Sequence, residues 1–280
     1  MWTVYLVLNK RSPVEANAEI DGLTVNVQID SSQVVVHGIA AADSDKACKK
    51  AVSVANQFLN TLSYKYGTDL DLQPETYSAE HASRSGKKEV IVKPAPASIG
   101  ISVRATVVKR DAPGNIIEVG DSQKLGKIDG RPSDAAAYYR HAHLTDDPFG
   151  RFRDLYNVVE NIADRIRTTR GLTKKELKQS YYLGDQSFLQ LALDECFANN
   201  QQALIKAANN VFTLDTNQPV IPQVAGILYK AYRCQLNHSK ASENKKVPFN
   251  PQDEKEVQTA LPLMDIVARS LLGYEETRLA

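Results

Sequence analysis

Apolar and polar positions alternate over much of the first forty residues. The stretches "MWTVYLVLN", "LTVNVQID" and "QVVVHGIA" place valine, leucine and isoleucine at every second position between turn-forming residues. That period predicts three half-buried strands. The period then lengthens. In "AADSDKACKKAVSVANQFLNTLSYKYG", the residues Ala47, Ala51, Val54, Phe58 and Leu62 share one helical face, with Asp43 or Ser44 placed as the cap. Residues 68–87 are polar and rich in turn formers, which predicts a loop. Two further strands are expected at "KEVIVKP" and "ASIGISVRATVVKR", so residues 1–120 read as a mixed α+β domain.

A polar stretch, "DSQKLGKIDGRPSD", reads as a linker. Beyond it the helical period dominates, and residues 133–280 read as an all-α domain. Ser133 is placed to cap "DAAAYYRHAHL". Asp147 and Pro148 open a long helix with proline at its first position, where the missing N–H costs nothing. Phe152, Leu155, Tyr156, Val159, Ala163 and Ile166 form its apolar stripe, and Gly171 ends it. Shorter helices follow at "TKKELKQSYYL", "DQSFLQLALDECFANNQ" and "QQALIKAANNVF". Another helix is expected from Val220 to Asn237. The last is capped by Asn250, turns Val257, Leu261, Met264, Val267 and Leu271 inward, and carries Pro262, which predicts a kink.

Composition narrows the partners. The chain has 280 residues and a formal net charge of +1, which argues against a surface that coats polyanions broadly. Contact with a nucleic acid then has to be local. No apolar run approaches the ~20 residues of a membrane span. The basic residues near the start follow its apolar patch, the reverse of a secretory signal. A soluble, cytoplasmic protein without membrane contact is expected. Cys48, Cys196 and Cys234 are odd in number and widely spaced, so no disulfide framework or zinc spacing is present.

Candidate chemistry concentrates in "GILYKAYRCQLNHSK", residues 226–240. At about 100° per residue, Arg233 and His238 lie roughly 140° apart on a continuous helix. Arg233 then lines up with Gly226, Tyr229 and Asn237, while Ile227, Ala231 and Cys234 continue the buried side. Fraying at "NHSK" frees His238 to turn back toward the arginine. Metal-free phosphodiester cleavage needs a proton carrier near neutrality, which histidine supplies. It also needs a cation to hold the charge developing on phosphoryl oxygens, which a guanidinium supplies with bidentate geometry. One motif gives one of each. Two copies across a dimer axis give both a base and an acid.

The stretch "LYKAYRCQLNHSK" resembles the R-x4-H signature of HEPN domains, the all-helical fold of many toxin and phage-defence ribonucleases. The early "FRDLYNVVENI" helix, the late motif helix and the closing helix are similar to that layout, over about residues 133–280. The likeness is nearest to the ApeA-like and MauJ-like branches. It implies a homodimeric, metal-independent endoribonuclease without a cofactor. In such an enzyme the RNA 2′-hydroxyl attacks its own phosphate and leaves a cyclic phosphate. Arg233 and His238 take the motif roles. Family members usually carry a polar residue directly after the arginine, and this chain has Cys234. A nuclease of this kind must be restrained, which makes the N-terminal domain the expected sensor or docking module for a regulatory protein or ligand.

Other readings stand beside this one. Arg233 and His238 also suit an ordinary helix C-terminus, where cations meet unpaired carbonyls. The helical domain then serves as a dimeric scaffold that binds RNA or protein without cutting, a reading that Cys234 favours. A metabolic accessory protein with a small-molecule site is the third. Asn237 is placed either to orient a phosphate or to stop the helix. Tyr229 is a stacking candidate, and Tyr232 reads as core. Glu160, beside its helix's apolar stripe, is placed either to hold Arg233 or to face solvent. Lys240, Lys245 and Lys246 follow in a loop that suits either an RNA backbone or water. In "RHAHLTDD", His141, His143, Asp146 and Asp147 are possible ligands, but Asp147 fits better as a cap and the two histidines diverge, so no metal is expected. His37 and His81 read as lying in a strand and a loop without partners.

Overall fold

The structure is a computed structural model that describes residues 1–82, 88–93, 123–128, 134–181, 186–197, 201–234, 236, 246 and 250–279. The chain forms two compact units, Met1–Arg131 and Pro132–Ala280.

Among the described residues, the first unit is one seven-stranded sheet with a helix. Its strands are β1 (Trp2–Leu8), β2 (Ala16–Ile20), β3 (Leu23–Val27), β4 (Gln33–Ile39), β5 (Leu72–Ala82), β6 (Lys88–Lys93) and β7 (Gln123–Ile128), in the order β6-β5-β1-β4-β3-β2-β7. All pairs are antiparallel except β2 with β7. In β1, Trp2, Val4, Leu6 and Leu8 are buried and the residues between them half-buried, the pattern of a sheet packed on one face. Those side chains meet Ala47, Ala51, Val54, Phe58 and Leu62 of α1 (Ser44–Tyr66) in a single core. Asp43 caps α1 by accepting the Lys46 N–H at 2.8 Å. Along β1 and β4 the register passes from Val4↔Val36 to Trp2↔Ile39, so β4 holds one extra residue there. Gly38, at φ +83°, absorbs the bulge in a conformation that side chains resist.

Three segments depart from the sequence expectation. Residues 72–82, expected in a loop, form β5. Pairing with the strongly apolar β1 overrides the polar composition, and Pro74 falls where the register between the two strands slips. Ala16–Ile20 forms β2, whose small alanines carry little hydrophobic signal. Gln123–Ile128, expected in a linker, forms the lysine-bearing edge strand β7. Both histidines of this unit have partners. His37 Nδ1 lies 3.3 Å from Thr3 Oγ1, and the ring centre of His81, in β5, lies 4.6 Å from that of Trp2. The strand expected at 97–110 and the Ser133 cap lie outside the described residues.

The second unit is all-helical among the described residues: α2 (Asp134–Leu144), α3 (Pro148–Thr169), α4 (Lys174–Tyr181), α5 (Gln186–Phe197), α6 (Gln202–Asn209), α7 (Val220–Ile227) and α8 (Pro251–Tyr274). A π-helical segment, Leu228–Cys234, continues α7, and another, Glu275–Leu279, follows α8. The central element is α3, which packs on α2, α5 and α8. Its predicted stripe is buried, and Phe149, Val158 and Ile162 add to it because α3 has neighbours on several sides. Asp147 caps α3 through the N–H groups of Phe149 and Gly150, and Asn250 caps α8 through those of Gln252 and Asp253. The five inward residues expected of α8 are all buried, and the helix runs on through Pro262. No helix among the described residues is long and apolar enough to cross a membrane.

Candidate phosphate-binding site

The segment that carries Arg233 is not the uniform α-helix its period suggests. After Ile227 the hydrogen-bond pattern widens to that of a π-helix through Cys234, a rare form that tends to occur at functional positions. The buried residues run Ile221, Val224, Ala225, Leu228 and Tyr232, whereas Ile227 and Cys234, expected on that side, are only half-buried. That run keeps the three- and four-residue spacing of an α-helix, so the core-facing stripe lies one position, about 100°, from the one expected. Tyr232 enters the core, its ring centre 5.4 Å from that of Phe152 on α3.

Arg233 meets α3 directly. Its Nη2 donates to Glu160 Oε1 at 3.3 Å and its Nε to the same oxygen at 3.4 Å. Its guanidinium carbon stands 5.4 Å from the centre of the Tyr156 ring, within cation–π range. Tyr156 and Glu160 are one turn apart on α3, so they form a single shelf, with the ring beneath the cation and the carboxylate beside it. Burial pushes the Tyr156 hydroxyl well above its ordinary range and the Glu160 charge adds to the effect, so the ring stays neutral. The Arg233 side chain remains 30% exposed, enough for a ligand to reach it. Tyr229, half-buried one turn earlier, adds to the electrostatic field at Tyr156.

Lys246 takes a different position from that of a free loop lysine. Its ammonium is ion-paired with Glu256 of α8 and lies 5.3 Å from the centre of the Tyr232 ring. Its side chain is only 8% exposed. It sits against α8 and the core tyrosine. Asn237, His238, Lys240 and Lys245 lie outside the described residues.

The "RHAHLTDD" segment is divided among separate partners. His141 Nδ1 lies 2.6 Å from Asp154 Oδ2 on α3. His143 Nε2 lies 3.0 Å from Asp265 Oδ1 on α8, and Asp147 is the helix cap. The same Asp265 oxygen accepts the Tyr139 hydroxyl at 2.8 Å, and Arg269 donates to that hydroxyl from Nε at 3.2 Å and Nη2 at 3.1 Å. Burial works to raise the Asp265 pKa. The hydrogen bonds from His143 and Tyr139 and the Arg269 charge outweigh burial and hold the carboxyl below its ordinary range. This network, which the sequence analysis did not assemble, pins α2 to α8. Asp265 also borders an open groove of about 520 Å³ together with Asp146, Arg151, Gln258 and Pro262.

With the shelf beneath Arg233 in place, the helical unit can be set against known proteins. Residues 135–273 match the family model of methylamine utilization protein MauJ. The MauJ match begins inside α2 and ends inside α8, and it takes in Tyr156, Glu160, Tyr229 and Arg233. It leaves the sheet unit outside. No curated protein and no solved structure matches the chain.

Proposed function

We propose that the helical unit is a HEPN-type, metal-independent endoribonuclease. Arg233 neutralises the charge growing on the phosphoryl oxygens, and His238 moves the proton between the attacking 2′-hydroxyl and the leaving 5′-oxygen. The observation that carries this reading is the shelf of Tyr156 and Glu160, which orients an Arg233 guanidinium that still meets solvent. Preorganised cations of this kind supply the largest catalytic term in charge-developing reactions. The MauJ match over the same helices is consistent with the reading, since MauJ-like proteins are among those the R-x4-H helix resembles. Two motifs facing across a homodimer supply the acid and the base. The sheet unit serves as sensor or docking module for a regulatory protein or ligand, in the manner of toxin and antiviral-defence systems.

Expression in a host cell tests the reading. Growth arrest that disappears with Arg233→Ala or His238→Ala supports the nuclease, and arrest that persists in both variants contradicts it. A second reading is favoured by Cys234 following the arginine, where a polar residue is usual. There the unit is a dimeric scaffold whose motif binds RNA or a protein without cleavage, and neither wild type nor variant affects growth.

A further inference from the structure

The cleft beside Arg233 has polar walls that the motif itself does not supply. Phe152, Arg153, Tyr156, Asn157, Arg233 and Leu236 line a small depression between α3 and the π-helical segment. Arg153 is exposed and Asn157 half-buried. They are one turn apart on α3, so their side chains rise on the same stripe, next to the Tyr156–Glu160 stripe that holds Arg233. Arg233 is tethered to Glu160. Among the described residues, the side chains of Arg153 and Asn157 form no hydrogen bond or ion pair, and α3 presents no carboxylate among the cleft residues to neutralise Arg153.

Two guanidiniums and a carboxamide therefore converge on a recess floored by aromatic side chains, with room for about one water-sized group. That donor set suits a phosphate oxygen. Arginine offers paired N–H donors to it, and a carboxamide N–H adds a neutral one. A phosphodiester, with two free oxygens on one tetrahedral centre, offers one to each guanidinium.

We propose that Arg153 and Asn157, with Arg233, form a phosphate subsite for single-stranded RNA. The inference rests on the nuclease reading and adds two residues that bind substrate without joining the proton transfer. Arg153 contributes charge, and Asn157 contributes a directed hydrogen bond.

The test is binding of a labelled single-stranded 2′-O-methyl RNA to the full chain in EDTA, by fluorescence anisotropy across a salt series. That RNA lacks the attacking hydroxyl, so binding is read without cleavage. Arg153→Ala is expected to weaken binding about tenfold and to lower the salt slope by ~0.7. Arg153→Lys is expected to restore the slope. Asn157→Ala is expected to weaken binding with the slope unchanged. Both positions lie on the outer side of α3, and circular dichroism checks that each variant is folded. Wild-type affinity and slope in both alanine variants overturn the subsite. If unmodified RNA is still cut by those variants as by wild type, the nuclease reading survives and only the subsite falls. A wild-type chain that neither binds the 2′-O-methyl RNA nor cuts unmodified RNA removes both.

Discussion

Arg233 and Glu160 are 73 residues apart in sequence, yet the arginine's Nη2 lies 3.3 Å from the glutamate's Oε1. The contact joins the late motif segment to the central helix α3. As a half-exposed ion pair it is worth only about 0.2–1 kcal/mol of stability. Its importance is positional, since it fixes the direction of the guanidinium over the Tyr156 ring.

The first prediction follows from that difference in scale. Glu160→Gln should leave the unfolding free energy within about 1 kcal/mol of wild type while slowing RNA cleavage by ~10–100-fold through misplacement of Arg233. Arg233→Lys should be equally folded and lose at least as much activity. An ammonium cannot reproduce the planar stack and paired donors of the guanidinium. Urea denaturation beside single-turnover cleavage separates the two quantities. A loss of stability matching the loss of rate contradicts a positioning role.

The Asp265 network makes a prediction about pH. The carboxyl's pKa is lowered on folding, so its contribution is present above the unfolded carboxylate value of ~3.9 and drains as pH falls through the folded value. The denaturation midpoint should hold as the pH falls toward 5 and decline below about 4. Asp265→Asn should show a shallower decline, because it cannot titrate. Asp265→Ala should cost about 1–3 kcal/mol near neutrality by leaving the Tyr139 hydroxyl and His143 without their acceptor. Identical acid limbs in wild type and Asp265→Asn contradict this assignment.

Pro262 is exposed within α8 and has no N–H to return to the carbonyl of Gln258. Pro262→Ala should therefore stabilise the helical unit by about 1–3 kcal/mol, visible as a higher melting temperature. An unchanged or lower melting temperature means the carbonyl is satisfied another way.

The parts of this fold that were legible in the sequence are those where one residue's chemistry decides the matter locally. Asp147 before Pro148 and Asn250 before Pro251 marked two helix starts, and Phe152 to Ile166 marked the face of α3 at its own period. The parts that were not legible depend on partners distant in sequence. β5 exists because β1 pairs with it, and β7 because β2 offers an edge. At the site, the sequence placed Glu160 beside the buried stripe but could not decide between Arg233 and solvent. Periodicity also could not show the widening after Ile227, and with apolar residues on two neighbouring stripes it did not decide which of them faced the core. The Tyr139–His143–Asp265–Arg269 network was missed because its members lie on two helices more than a hundred residues apart.

The most direct measurement is incubation of the purified chain with labelled total RNA in EDTA, beside Arg233→Ala and His238→Ala. The account predicts cleavage by wild type with cyclic-phosphate ends, and a rate lower by ~10²–10⁴-fold in His238→Ala. Cleavage undiminished in both variants, or wild-type cleavage that is present without EDTA and lost with it, contradicts it.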